Sequence, residues 1–290
     1  MDNQSNSEDT ETQETEYFIN AIGKRIFFNS WKPEKEPRAL VQIVHGAAEH
    51  CLQYNDLANL LVAKDILVFG HDHVGHGQSD GDRVHVDTFH TYIDDVIKLA
   101  SDLKMKYPNI PLILIGHSMG GLVGTMTILE RPDLYQGTVL IAAALQSNPE
   151  TATPMRIWAA KILAYFFPQM GIATIDPNCI SRDPDVVKKY TEDPLNYHGP
   201  LKARWAVGMI KAIADVEQKM ADIEMPLLIL HGTEDKLCNI SGSKRLHEVA
   251  KSTDKTLKIY EGFYHQIHKE VGEGGPMVRQ EIVDWVLAHI

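Results

Sequence analysis

Leu112-Ile113-Leu114-Ile115-Gly116-His117-Ser118-Met119-Gly120-Gly121 is the stretch around which this chain is organised. A short, wholly apolar run enters Gly-x-Ser-x-Gly and leaves into Leu122-Val123-Gly124-Thr125-Met126-Thr127-Ile128-Leu129, an apolar segment of helical length. The pattern predicts strand, sharp turn and helix, with serine at the apex. Such a turn holds the serine backbone in a strained conformation and lifts its hydroxyl clear of the sheet edge. A helix that starts at Met119 aims its free N–H groups at the same spot, where an oxyanion can be stabilised. Gly-x-Ser-x-Gly alone is common. The strand before it and the helix after it make Ser118 a candidate nucleophile.

Outward from this turn, continuous apolar runs at 39–44, 66–70, 137–142, 226–230 and 256–260 predict strands. Helical spacing at 54–64, 88–107, 241–250 and 277–289 falls between them, and 17–30 suggests an opening hairpin. Alternation of this kind predicts an α/β fold, a mostly parallel sheet covered on both faces, with ligands bound beyond the carboxyl ends of its strands.

Residues 147–221 break the rhythm. They hold no convincing strand, much Pro and Trp, and helical segments, so they are read as a helical cap inserted before the last two strands. The sheet body is then 17–146 and 222–290. Within the cap, 155–167 is apolar almost all round but too short to span a bilayer. Either this helix packs against the body, or it walls a lipid channel and touches a membrane with Arg156 and Lys161 at headgroup level.

Residues 1–16 carry six acidic side chains and neither Lys nor Arg, and are expected to be a disordered tail. This stretch holds no apolar core of the kind a signal peptide carries, and no run of about 18 uncharged apolar residues is found, so no spanning helix is expected. The chain's net charge of −11 argues against broad attraction to nucleic acid or to an anionic membrane. Cys51, Cys179 and Cys238 form no metal or redox spacing, which points to a reduced, cytoplasmic setting.

A serine hydroxyl becomes a useful nucleophile only when an imidazole takes its proton, and that imidazole needs a carboxylate to fix its tautomer. In this topology the partners follow in the order Ser, Asp, His, each in a loop after a late strand. Asp235 follows the strand at 226–230 and His265 the strand at 256–260, so Ser118, Asp235 and His265 are the expected triad. Glu234 and His268 are the nearest competitors. The oxyanion hole needs a second N–H beside that of Met119, and Ala47 in His45-Gly46-Ala47-Ala48 supplies it, with His45 bracing the loop. The run His71-Asp72-His73-Val74-Gly75-His76-Gly77 is read as a structural loop, and no metal or organic cofactor is expected.

At these residues the sequence resembles the monoacylglycerol lipases, serine hydrolases of the α/β-hydrolase fold. The specific runs are His45-Gly46-Ala47-Ala48-Glu49-His50, the segment from His71 to Ser79, Gly116 to Gly121, Asp193-Pro194-Leu195, and the segment from Asp254 to Gly262. The resemblance implies cleavage of monoacylglycerols, or a related lipid ester, to fatty acid and glycerol. It also implies peripheral membrane contact through the cap, a polar glycerol end lined by Glu49, Tyr190 and His268, and a reagent-sensitive thiol at Cys238. Two departures stand out. Ala48 replaces the usual glycine, and Gln53 stands where the animal enzymes carry an arginine. A lysophospholipase or general carboxylesterase on the same scaffold is the alternative, and a non-catalytic binder of lipid or a partner protein a more distant one.

Overall fold

A computed structural model describes residues 16–147 and 153–290. Ten strands and eight α-helices build it: β1 (Glu16–Ile19), β2 (Arg25–Trp31), β3 (Ala39–Val44), α1 (Asn55–Val62), β4 (Ile66–His71), α2 (His90–Lys106), β5 (Leu112–His117), α3 (Met119–Glu130), β6 (Gly137–Ile141), α4 (Pro154–Phe166), β7 (Gly171–Ala173), α5 (Pro184–Glu192), β8 (Leu201–Lys202), α6 (Ala203–Lys219), β9 (Leu227–Gly232), α7 (Ile240–Val249), β10 (Lys255–Tyr260) and α8 (Gly274–Ala288). The expected tail, 1–16, lies outside the described residues except for Glu16, which opens β1 opposite Phe28 and so belongs to the sheet.

Eight strands form one sheet in the order β1-β2-β4-β3-β5-β6-β9-β10. The first two pairings are antiparallel and the rest parallel. β3, β4, β5, β6 and β9 are buried along their whole length, as their unbroken apolar runs require of strands covered on both faces. One core lies under α1 and α8, through Leu57, Leu61, Ile282 and Val286. The other lies under α2, α3, α6 and α7, through Ile93, Leu122, Ile213 and Leu246.

Between β6 and β9 the chain leaves the sheet for α4, α5 and α6. α4 starts at Pro154 with Thr153 as its cap, and α5 at Pro184 with Asp183 as its cap. The segment read as strand-free does hold a pair of very short strands: β7 and β8 join antiparallel. Two and three residues are too few to leave a periodic signal, so the sequence could not reveal them. Ser147 is the last residue described before the break, and α6, read as cap, contributes Trp205, Ala212, Ile213 and Val216 to the core. The cap segment 180–197 is tied to the body. Gln266 donates its N–H to the Ile180 carbonyl at 2.7 Å, Tyr197 donates to Ala48 at 2.9 Å, and Arg182 meets Glu270 at 3.1 Å.

Candidate active site

β5 ends and α3 begins at Ser118, whose backbone lies at φ 57°, ψ −121°, a region a non-glycine residue enters only under constraint. Neighbouring bonds hold it there. Its N–H donates to Ile141, and its carbonyl accepts from Gly121, Leu122 and Ala144. The turn is possible because Gly120 is pressed against the loop after β3. A Cβ there would lie 2.0 Å from the Val44 carbonyl oxygen.

Asp235 and His265 come from the loops after β9 and β10. Their side chains meet: His265 Nδ1 lies 2.8 Å from Asp235 Oδ2. The other Asp235 oxygen accepts the N–H groups of Leu237 and Cys238 at 2.8 and 2.9 Å, which aims the carboxylate. Buried His231, one strand-end away, approaches Asp235 Oδ2 at 3.2 Å. Burial works against the Asp235 charge, but the two imidazoles outweigh it and hold the carboxyl well below the usual range. Burial likewise pushes His265 down, and the Asp235 carboxylate more than reverses this, leaving the imidazole above its ordinary 6.5.

The Ser118 hydroxyl rests against Cys238, Oγ to Sγ 3.8 Å, and makes no hydrogen bond to His265 in this rotamer. Cys238 Sγ lies within 4.8 Å of donor atoms of both Asp235 and His265, so hydroxyl, imidazole and carboxylate occupy one small volume. Burial, followed by the Asp235 charge, raises the Cys238 thiol. Catalytic hydrogen bonds are often loose without substrate.

The loop carrying Ala47 passes beside the serine, since a Cβ on Gly46 would lie 3.1 Å from Ser118 Cβ. Among the described residues the Ala47 N–H has no hydrogen-bond partner. The Met119 N–H belongs to the first turn of α3, which has no intrahelical acceptor. The loop carrying Ala47 is braced from both sides. His45 Nε2 accepts the His73 N–H at 2.9 Å, which places the proton on Nδ1, where it reaches the Gly46 carbonyl at 2.7 Å. From the other side, Glu49 Oε1 accepts from Gly46 N–H and Tyr54 Oη at 2.6 Å each, and from His117 Nδ1 at 3.2 Å, while Gln266 Nε2 donates to Oε2 at 3.1 Å. Burial disfavours the Glu49 charge, but these donors and Lys269 keep it ionised.

Of the residues expected at the polar end, Glu49 is therefore buried and already well supplied with donors. His268 stacks on Tyr54 at 5.3 Å, with both ring nitrogens buried and unpartnered. Tyr190 lies buried on α5, close enough to Glu49 to feel its charge. The competitor Glu234 donates its own N–H to Phe263 and does not replace Asp235 on His265. His71, His73 and His76 pack ring against ring with Tyr92 as part of a buried loop.

The structure adds residues that sequence reasoning missed. Tyr54, His117 and Gln266 surround Glu49, and Gln53 links Lys269 (2.7 Å) to Asp193 (2.7 Å) at the cap seam. Beside Cys238 opens a mainly apolar cavity of about 610 Å³, walled by Ile157, Leu163, Trp205, Met209 and Ile213. α4 and α6 converge there from distant parts of the chain, so no local pattern could mark it. His117, inside the serine turn, carried a sequence signal, and Gln53 was marked only as a departure from the family pattern.

Residues 35–272 match the family described as serine aminopeptidase, S33. The chain is 42% identical to human monoglyceride lipase over 94% of its own length and 90% of the relative's. It is 33% identical to monoacylglycerol lipase of Mycolicibacterium smegmatis, covering 96% and 99% of the two chains. The crystal structure of Paleococcus ferrophilus monoacylglycerol lipase superposes with a TM-score of 0.81 at 30% identity, over 91% of this chain and 99% of that one. With this fold, this strand–serine–helix turn and relatives that align from end to end, the chain belongs to the monoglyceride lipase family, serine ester hydrolases of the α/β-hydrolase fold.

Proposed function

We propose that this protein cleaves monoacylglycerols to fatty acid and glycerol through an acyl-serine intermediate, with Ser118, His265 and Asp235 as its triad. Ser118 attacks the ester carbonyl while His265 takes the hydroxyl proton and returns it to the departing glycerol. Asp235 keeps the imidazole in the tautomer with the proton on Nδ1 and stabilises the imidazolium that forms. The tetrahedral oxyanion accepts from the Ala47 and Met119 N–H groups. Water, activated by the same histidine, then frees the acyl group.

The observation that carries this reading is the 2.8 Å pairing of His265 with Asp235 beside a serine held at φ 57°, at the mouth of an apolar cavity. The acyl chain lies in that cavity, under α4 and α6. Glycerol lies against Tyr190, His268 and Glu49. The outer face of α4 rests on a membrane, in keeping with its exposed Trp158, Tyr165 and Phe166. Among the described residues no helix is long and apolar enough to cross a bilayer, and a cytoplasmic enzyme touching the membrane peripherally fits that surface.

Hydrolysis of 2-monoacylglycerol by wild type and Ser118→Ala tests the assignment. Turnover by the wild type, lost in the variant along with fluorophosphonate labelling, is the expected result. Equal turnover of short water-soluble p-nitrophenyl esters, or faster turnover of lysophosphatidylcholine, would move the assignment to a general esterase or a lysophospholipase.

A further inference from the structure

Among the described residues, two sets of three metal-ligating side chains bring donor atoms within 4.8 Å of one another. One is Asp235, Cys238 and His265, in the active site. The other, His90, Asp94 and Glu130, takes no part in the chemistry above and lies exposed where two helices meet. His90 opens α2, Asp94 follows one turn later on the same face, and Glu130 is the last residue of α3. His90 Nε2 stands 3.5 Å from Asp94 Oδ1 and 3.4 Å from Glu130 Oε2. These separations are long for N–H···O hydrogen bonds, which centre near about 2.9 Å. They match the edge of a tetrahedron, because two ligands each about 2.1 Å from a zinc ion lie about 3.4 Å apart. Charge points the same way. Two carboxylates converge at the negative pole of α3, and among the described residues neither pairs with Lys or Arg. The cations nearby in sequence are taken, Lys98 by Asp102 at 2.9 Å and Arg131 by both oxygens of Asp133. A divalent cation relieves the repulsion. The mixed nitrogen and oxygen donors suit zinc rather than calcium or magnesium, which take oxygen ligands.

We propose that His90, Asp94 and Glu130 form a zinc site that clamps the first turn of α2 to the end of α3, with water in the fourth position. The site lies at the far end of α3, roughly 18 Å along its axis from Ser118, so the ion holds structure and has no part in ester cleavage. It leaves no motif in the chain, because Glu130 comes from a different helix than His90 and Asp94.

Zinc titration of the metal-free full chain by calorimetry tests the site, with thermal melts run in chelator and in zinc. All three side chains are nearly half exposed, so their variants keep the fold. Wild type should take up one equivalent at these residues and melt higher in zinc. His90→Ala and Glu130→Gln should each bind at least tenfold more weakly and lose the rise in melting temperature. In chelator, Asp94→Asn and Glu130→Gln should melt no lower than wild type, since each removes a repulsion. No uptake by wild type, or uptake unchanged in His90→Ala and Glu130→Gln, overturns the site. Unchanged uptake that also abolishes ester hydrolysis puts the ion on Cys238 and His265 instead. Variants that melt lower in chelator, with no zinc response in wild type, would make the cluster a bare ion pair and overturn the site too.

Discussion

Glu49 Oε1 lies 2.6 Å from the backbone nitrogen of Gly46, so a buried carboxylate holds the loop that carries Ala47. The same oxygen accepts from Tyr54 and His117, which ties that loop to the residue just before Ser118. The two N–H groups proposed as oxyanion donors are thus set relative to each other through one side chain.

Removing that carboxylate has a predictable effect. Glu49→Gln can keep a carbonyl oxygen toward the Gly46 N–H and Tyr54 hydroxyl, but it turns the other acceptor into a donor facing the Gln266 amide and removes the buried charge beside Lys269, and should lower stability by about 2 kcal/mol. If the Ala47 N–H moves as a result, kcat falls by on the order of a hundredfold. Urea denaturation and steady-state kinetics measure the two effects. A variant with wild-type kcat would mean that the loop holds its geometry without the brace.

Ala48 sits at φ 63°, a left-handed conformation that costs an L-residue energy. Ala48→Gly should relieve this and raise stability by up to about 1 kcal/mol, less the extra chain entropy of glycine. The residue is buried and its carbonyl accepts from Tyr197, so the native bond is kept. Destabilisation in thermal melts would show that methyl packing outweighs the strain.

The pH dependence follows from the signs. His265 must be neutral to accept the Ser118 proton, and its pKa is raised above 6.5, so the acid limb of kcat/KM should have its midpoint above 6.5. Asp235→Asn removes the raising charge. The limb should then move down, while kcat drops about 10⁴-fold because the tautomer is no longer fixed. Stability behaves differently. The Asp235 carboxyl is depressed in the folded state, so its contribution is present above the ordinary carboxylate range and lost as pH falls through and below it. The raised His265 adds stability below 6.5 that disappears as pH rises through its folded pKa. Urea titrations across pH resolve both.

Gly120→Ala tests the turn itself. Its Cβ would fall 2.0 Å from the Val44 carbonyl oxygen and 2.4 Å from that of His45, both backbone atoms that cannot swing away. The variant should lose labelling by fluorophosphonate and either fail to fold or melt well below wild type. Full labelling would rule out the tight packing of α3 on the loop after β3.

Much of this was legible in the sequence because the signals are local. Buried parallel strands must be apolar at every position, so β3, β4, β5, β6 and β9 announce themselves. A serine at a strand–helix turn has a five-residue signature, and loops after late strands are where this topology places an acid and an imidazole, which is what makes Asp235 and His265 candidates. What only the tertiary structure decided is everything built by side chains meeting across long sequence distance. Glu49 is linked to Gln266 across 217 residues, Gln53 to Asp193 across 140, and Ser118 Oγ rests on Cys238 across 120. The two cap strands β7 and β8 and the apolar cavity between α4 and α6 belong to the same class. Periodicity reports which face of an element is apolar, but which distant faces converge is set by how the elements pack, and that leaves no pattern in the chain.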